Sequence, residues 1–216
     1  MQAQRVNRAQ DFELPAERGV GELKLIGAAR SFARDQEIFG EGEPADCFYK
    51  VVSGVTRSFR VLADGRRQIG QFHLPGDVFG VEADNRRRVS CEAVNEATLI
   101  VARRANLMTG DKGEAAQLWR LAMSELERAQ DHILTLGRRN ACERLATFLM
   151  DFADRRGVGD SVELPMSRQD IADHLGLTIE TVSRTFSQFQ ADGLIEIHGC
   201  RQVWFADPEG LDHLRQ

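Results

Sequence analysis

No stretch of this chain approaches the roughly 18 consecutive apolar residues that a membrane-spanning helix requires. The opening MQAQRVNRAQDFELPAERG also lacks the apolar core of a signal peptide, so a cytoplasmic protein with no membrane partner is expected. Cysteine is scarce. Cys47, Cys91, Cys142 and Cys200 are scattered, with no C-x-x-C pair and no Cys/His spacing of a zinc site. The expectation is reduced, structural or surface thiols. Histidine is as thin: His73 is the single histidine of the β-rich region, whereas a metal-dependent barrel enzyme needs several His and carboxylates converging. No metal, cofactor or catalytic group is expected. An excess of positive charge is missing too, with 28 Lys and Arg against 33 Asp and Glu and a net charge of −5. This argues against a blanket nucleic-acid binder, but not against a site that uses a few well-placed cations.

With 216 residues the chain is long enough for two cores. Residues 1–20 read as an arm. Residues 21–113 hold short β-rich runs such as CFYKVV and VTRSFRVL between glycines, and Asp64-Gly65 is a strong hairpin signal. Such a text predicts a barrel or jelly roll. Residues 114–156 contain no proline and one glycine, Gly137, and read as a helix. Within it Trp119, Ala122, Leu126, Ala129, Ile133 and Leu136 recur at 3 and 4 residues in turn, and Asn140 takes the next a-type position. The stripe suits either packing on the barrel or a seam with a second copy. Its strictness favours a homodimer, with Asn140 fixing register.

Residues 157–216 form a third region. In LPMSRQDIADHLGLTIETVSRTFSQFQADGLIEI, Ser167 followed by Asp170 resembles a capping box, and Thr178 is placed to cap a second helix. Ala172, Gly176 and Val182 stand at the small, tight-turn and buried positions of a helix-turn-helix. Ile179, Val182, Phe186 and Phe189 recur at helical spacing on an apolar stripe, while Glu180, Thr181, Ser183, Arg184 and Ser187 lie opposite. Arginine can give two hydrogen bonds to guanine, and a carboxylate can accept from cytosine. The pair alone could be a solvated i, i+4 contact; inside a helix-turn-helix it reads bases. LIEIHGCRQVWF then reads as a wing hairpin. From Ser167 to Trp204 there are three Arg (168, 184, 201) against five acids (170, 173, 180, 192, 196). Few groups are left to hold phosphate: Ser167 with its helix N-terminus, Arg168, Thr178, Thr181, Ser187 and Arg201.

The stretches LPMSRQDIADHL and GLTIETVSRTFSQFQADGLI resemble the CRP/FNR family of bacterial transcription regulators, and the likeness extends over nearly the whole chain. It implies an α+β protein: a cyclic-nucleotide-binding-like β-roll (jelly roll), a long dimerisation helix, and a C-terminal winged helix-turn-helix. Glu180, Ser183 and Arg184 look like the reading face of the FixK-like branch, and Ile179 stands where the cyclic-AMP branch has Arg. The resemblance implies a homodimer on a double-stranded palindrome like TTGAT-N4-ATCAA, recruiting RNA polymerase, in a setting of microoxic respiration and nitrogen fixation. The iron–sulfur cysteines of one branch are absent, since no Cys precedes Cys47. The cyclic-AMP branch has Gly-Glu-Leu after its PGD turn and a later Arg-Ser pair; here Gly80-Val81-Glu82 and Arg87-Arg88 stand instead. An activator without a small effector is therefore expected, with Cys200 as a candidate redox thiol. The rival is a regulator gated by haem or a nucleotide in the β-roll.

Overall fold

The computed structural model describes residues 27–107, 112–157 and 159–215, so the expected arm at 1–20 lies outside the described residues. The strands of the N-terminal half are β1 (Ala28–Phe32), β2 (Glu37–Phe39), β3 (Cys47–Ser53), β4 (Thr56–Val61), β5 (Arg67–His73), β6 (Val78–Phe79), β7 (Ser90–Ala93) and β8 (Ala97–Arg103). Helices α1 (Arg104–Leu107), α2 (Lys112–Arg138) and α3 (Ala141–Arg156) follow, then β9 (Ser161–Glu163), α4 (Arg168–Leu175), α5 (Ile179–Ala191), β10 (Ile195–His198), β11 (Gln202–Phe205) and α6 (Pro208–Arg215).

The roll consists of two antiparallel sheets, ordered β1-β8-β3-β6 and β2-β7-β4-β5. Strand β3 is covered on both faces: Tyr49 and Val51 point into one cluster, and Phe48, on the other face, packs with Val78 and Ala102. The Asp64-Gly65 signal is the β4–β5 turn, where Gly65 adopts φ +83° and Leu62 N–H donates to Arg66 O at 2.8 Å. Gly54 cannot be replaced, because at φ +78° a Cβ would sit 2.3 Å from Glu96 O.

The long helix uses two faces. Leu121, Glu125, Arg128, His132 and Thr135 turn inward: Leu121 packs on the cluster of Phe48, Val78 and Ala102, Arg128 pairs with Asp77 at 3.2 Å, and Thr135 is 7% exposed. The expected seam lies on the neighbouring face, with Trp119 65%, Leu126 49% and Ile133 67% exposed. Beyond it a core runs from Phe59, Ile69 and Phe72 of the roll through Phe148, Leu149 and Phe152 of α3 into Ile171, Val182 and Phe189. The helix α6, which the sequence reading left out, buries Leu211 there and pairs Arg215 with Asp151 at 3.0 Å.

The structure corrects one expectation. Residues 114–156 are two helices, and Asn140 is the N-cap of α3 rather than a position along a continuous seam. Its side chain accepts from Cys142 N (2.9 Å) and Glu143 N (3.1 Å), while Glu143 Oε2 accepts from Asn140 N at 3.0 Å. The heptad spacing and the N-x-x-E capping box overlap at this residue. The box prevails because it satisfies helix N–H groups that would otherwise lack partners. Asn140→Ala should cost about 1 kcal/mol of stability, read from the denaturation midpoint. Asn140→Leu should destabilise as well; on a buried seam it would stabilise the dimer instead.

Candidate nucleic-acid interface

Helix α4 starts at Ser167, whose Oγ accepts from Asp170 N at 3.0 Å while Asp170 Oδ2 accepts from Ser167 N at 3.0 Å. It stops at Gly176, where φ is +62° and the N–H donates to Ala172 O. Thr178 caps α5, its Oγ1 accepting from Thr181 N at 3.2 Å. Ala172 and Val182 are fully buried where the helices cross. All four local expectations for a helix-turn-helix are met.

Helix α5 buries Val182, Thr185, Phe186 and Phe189. Ile179, Glu180, Ser183, Arg184 and Ser187 all face outward. Ile179 leaves the apolar stripe and is 37% exposed, so its methyls are offered to whatever the helix meets. Its own backbone N–H and the Thr178 hydroxyl hold the Glu180 carboxyl below the usual range, with a weaker pull from Arg184. Arg184 makes no hydrogen bond or ion pair among the described residues, so its fork is available for a ligand. The Oγ atoms of Thr178 and Thr181 are 3.2 Å apart, and Ser187 Oγ donates to Ser183 O at 3.1 Å. The wing is β10 and β11 around Gly199 (φ +64°), with β9 as third strand. Cys200 and Arg201 are exposed on its turn.

Arg168 departs from the simple picture. Its guanidinium lies 3.1 Å from the centroid of the Phe186 ring, and burial lowers its pKa to about 10. It stays cationic at neutral pH, but a phosphate must compete with the ring. Sequence reading also missed the surroundings of α4. Asp170 is 4% exposed and receives Arg57 and Arg67 of the roll, while His174 stacks on His132 of α2 at 4.3 Å. These partners are far apart in sequence, so no local pattern announces them. Among the described residues no helix is long and apolar enough to cross a membrane, and no three His, Cys, Asp or Glu side chains gather as a metal site.

Comparison with known proteins matches residues 29–109 to the cyclic nucleotide-binding domain and residues 143–214 to the Crp-like helix-turn-helix domain. That pairing defines a transcription regulator with a helix-turn-helix DNA-binding domain. The nitrogen fixation regulation protein FixK of Azorhizobium caulinodans is 47% identical over 200 residues, covering 89% of this chain and 81% of that protein. FixK of Rhizobium meliloti is 44% identical, covering 83% of each. The structure of FixK2 from Bradyrhizobium japonicum matches with a TM-score of 0.86 and 44% identity, over 89% of this chain and 98% of that one. The chain belongs to the CRP/FNR family of transcription regulators, in its FixK-like branch. Its relatives are regulators and not enzymes.

Buried His73 and half-buried His174 should make the fold acid-sensitive. His174 sits against Phe72 and Phe148 and donates from Nδ1 to Ile69 O at 3.1 Å. Burial lowers its pKa from 6.5 to about 3, and burial does the same to His73. In the unfolded chain both take up a proton below 6.5, which the folded chain refuses until about pH 3. Stability should therefore be level above pH 7 and fall as pH drops, by up to about 1.4 kcal/mol per pH unit for each histidine. His174→Phe should make that slope shallower in acid-unfolding titrations; an unchanged slope would show that His174 is not buried neutral.

Proposed function

We propose that this chain is a cytoplasmic transcription activator that binds a TTGAT-N4-ATCAA-like palindrome as a homodimer, recruits RNA polymerase and needs no small effector. The observation that carries the reading is the outward face of α5, where Ile179, Glu180, Ser183 and an unpaired Arg184 stand together on a helix capped and packed as a recognition helix. Arg184 suits guanine, Glu180 suits cytosine N4, and Ile179 suits a thymine methyl. Ser167, Thr178, Thr181, Ser187 and Arg201 flank it as phosphate contacts, joined by Arg168 once it leaves Phe186.

The homodimer is supported by the stripe of Trp119, Ala122, Leu126, Ala129, Ile133 and Leu136. Three of these, Trp119, Leu126 and Ile133, are large apolar side chains open to water, and such a row fits a second copy of α2. Two-fold symmetry also suits half-sites about one helical turn apart.

Effector independence is supported by the interior of the roll. Phe39, Tyr49, Phe79 and His73 stack through it, with centroids 5.3, 5.3 and 4.2 Å apart in succession. Arg87 is 3% exposed, donates to Gly80 O at 2.7 Å and lies over the Phe39 ring at 4.3 Å. Its cation is thus engaged by the roll's own carbonyl and ring, and Val81 has no acceptor for ribose hydroxyls. With no ligand to select an active state, control falls on abundance, turnover or oxidation of the exposed Cys200 on the wing.

Selection of bound duplexes from a random pool should return a palindrome. On it, Arg184→Ala should lose about 1–3 kcal/mol per half-site and relax one guanine. Equal affinity of the variant for the best site would sink the recognition-helix assignment. Ile133→Glu should sediment as a monomer and lose tight binding, because a buried unpaired charge is strongly unfavourable; a dimeric, fully binding variant would overturn the seam. Binding by dialysed, reduced protein should not change on adding cyclic AMP, whereas binding that appears only with the nucleotide would return the chain to the effector-gated reading.

A further inference from the structure

The first helix of the helix-turn-helix is tied to the roll by an ion cluster. Arg57 of β4 is 6% exposed. Its guanidinium donates to both oxygens of Asp170 at 3.2 Å, to Glu92 at 2.8 Å and to Asp35 at 3.0 Å. Arg67 of β5 reaches Asp170 and places its Nε 3.0 Å from Asp173. Asp35 itself holds φ +60°, a conformation unusual for a residue with a side chain, and anchors its N–H to Ala93 O at 2.8 Å. Strand β5 is the edge of its sheet, and α4 covers that edge: Gln68 Nε2 donates to His174 O at 3.2 Å, and His174 Nδ1 donates to Ile69 O at 3.1 Å.

Asp170 therefore has two tasks. Its Oδ2 closes the capping box that starts α4, and the same carboxylate receives both arginines of the roll. The cap that defines the axis of α4, and through the Gly176 turn the axis of α5, is held from outside its own domain. A charge buried among fixed partners tolerates little displacement, because moving either side strands an unpaired charge.

We infer that Arg57 is a positioning residue for DNA reading: through Asp170 it fixes the orientation of the recognition helix relative to the roll, and so the distance between the two reading heads of a dimer. The inference rests on the dimeric palindrome binding proposed above. Two heads rigidly held engage both half-sites only at one spacing, whereas loosely held heads tolerate several.

The test uses the full chain and duplexes whose half-sites are separated by the selected spacer, or by spacers one and two base pairs shorter or longer. Wild type should prefer its own spacer by about a hundredfold or more. Arg57→Gln and Asp170→Asn, which keep hydrogen-bonding groups but remove the charges, should each reduce that preference below about tenfold. The double variant should be no worse than either single one, since both break the same contact. Leu99→Ala, in the core of the roll away from the cluster, should lower thermal stability and keep the spacer preference sharp, which separates positioning from loss of stability. A folded Arg57→Gln protein with the wild-type spacer preference overturns the inference, as does a wild type that binds the palindrome without regard to spacing. Should Arg57→Gln fail to fold, Arg67→Gln carries the same expectation and the same refutation. A wild type that binds no palindrome refutes the dimeric DNA-binding reading instead.

Discussion

Much of the molecule is organised around one carboxylate. Asp170 is almost entirely buried, a position that is costly for an anion unless its lone pairs are filled. They are filled from two directions, by Ser167 at the cap of α4 and by Arg57 and Arg67 from the roll. An eight-residue helix such as α4 has little stability of its own. It gains a start from the capping box, a surface from the edge strand β5, and an apolar floor from Ile171, Ala172 and Leu175. Without that docking, β5 would present an open edge and α4 would lack a partner for its charged side.

The parts that were legible in the sequence are those whose causes are local. Ser167 with Asp170, Gly176 and Thr178 act over three to five residues, and each stands in the role its chemistry predicts. The exposed apolar stripe of α2 through Trp119, Leu126 and Ile133 was legible for the same reason, because helical periodicity is a short-range signal. Asn140 shows how two short-range signals compete. Heptad spacing runs through it, yet Glu143 three residues on completes a cap, and unsatisfied N–H groups outweigh the continuity of a stripe. The cluster around Arg57 was not legible. Arg57 and Asp170 are 113 residues apart, and nothing in the neighbourhood of either names the other. Helix α6 escaped notice for a different reason: it is a single eight-residue element with one fully buried side chain, Leu211, too short for periodicity to register.

The roll illustrates the difference between a framework and its use. The sheet order, the turns and the match to the cyclic nucleotide-binding domain all describe a scaffold, and a scaffold does not specify a ligand. What fills the interior is a set of aromatic side chains. His73, Phe79 and Tyr49 form an aromatic stack that Phe39 extends at a tilt, and the Arg87 guanidinium closes it from the side. Substitution at Gly80 would disturb this directly, since a Cβ there would lie 2.9 Å from Arg87 Nη1. Gly80 and Arg87 are thus built into the packing of the roll, whereas Val81 and Arg88, which depart from the cyclic-AMP branch, are exposed.

The ion cluster also bears on how an acidic chain can approach DNA. Between Ser167 and Trp204, acids outnumber arginines five to three, an unfavourable balance for a surface that must face phosphates. The structure divides those acids by location. Asp170 and Asp173 are paired inward with arginines of the roll. Glu180 stands on the proposed reading face, and Glu196 pairs with His198 on the exposed face of the wing sheet at 3.2 Å. Arg184 and Arg201, in contrast, are exposed with no ion pair among the described residues. Arg57 and Arg67 thus hold two of the five acids turned toward the roll, although Arg57 is shared with Glu92 and Asp35, so the cluster redirects these carboxylates rather than neutralising them. The contact that holds α4 against the roll is also the contact that keeps Asp170 and Asp173 pointed inward, away from the exposed face of α5.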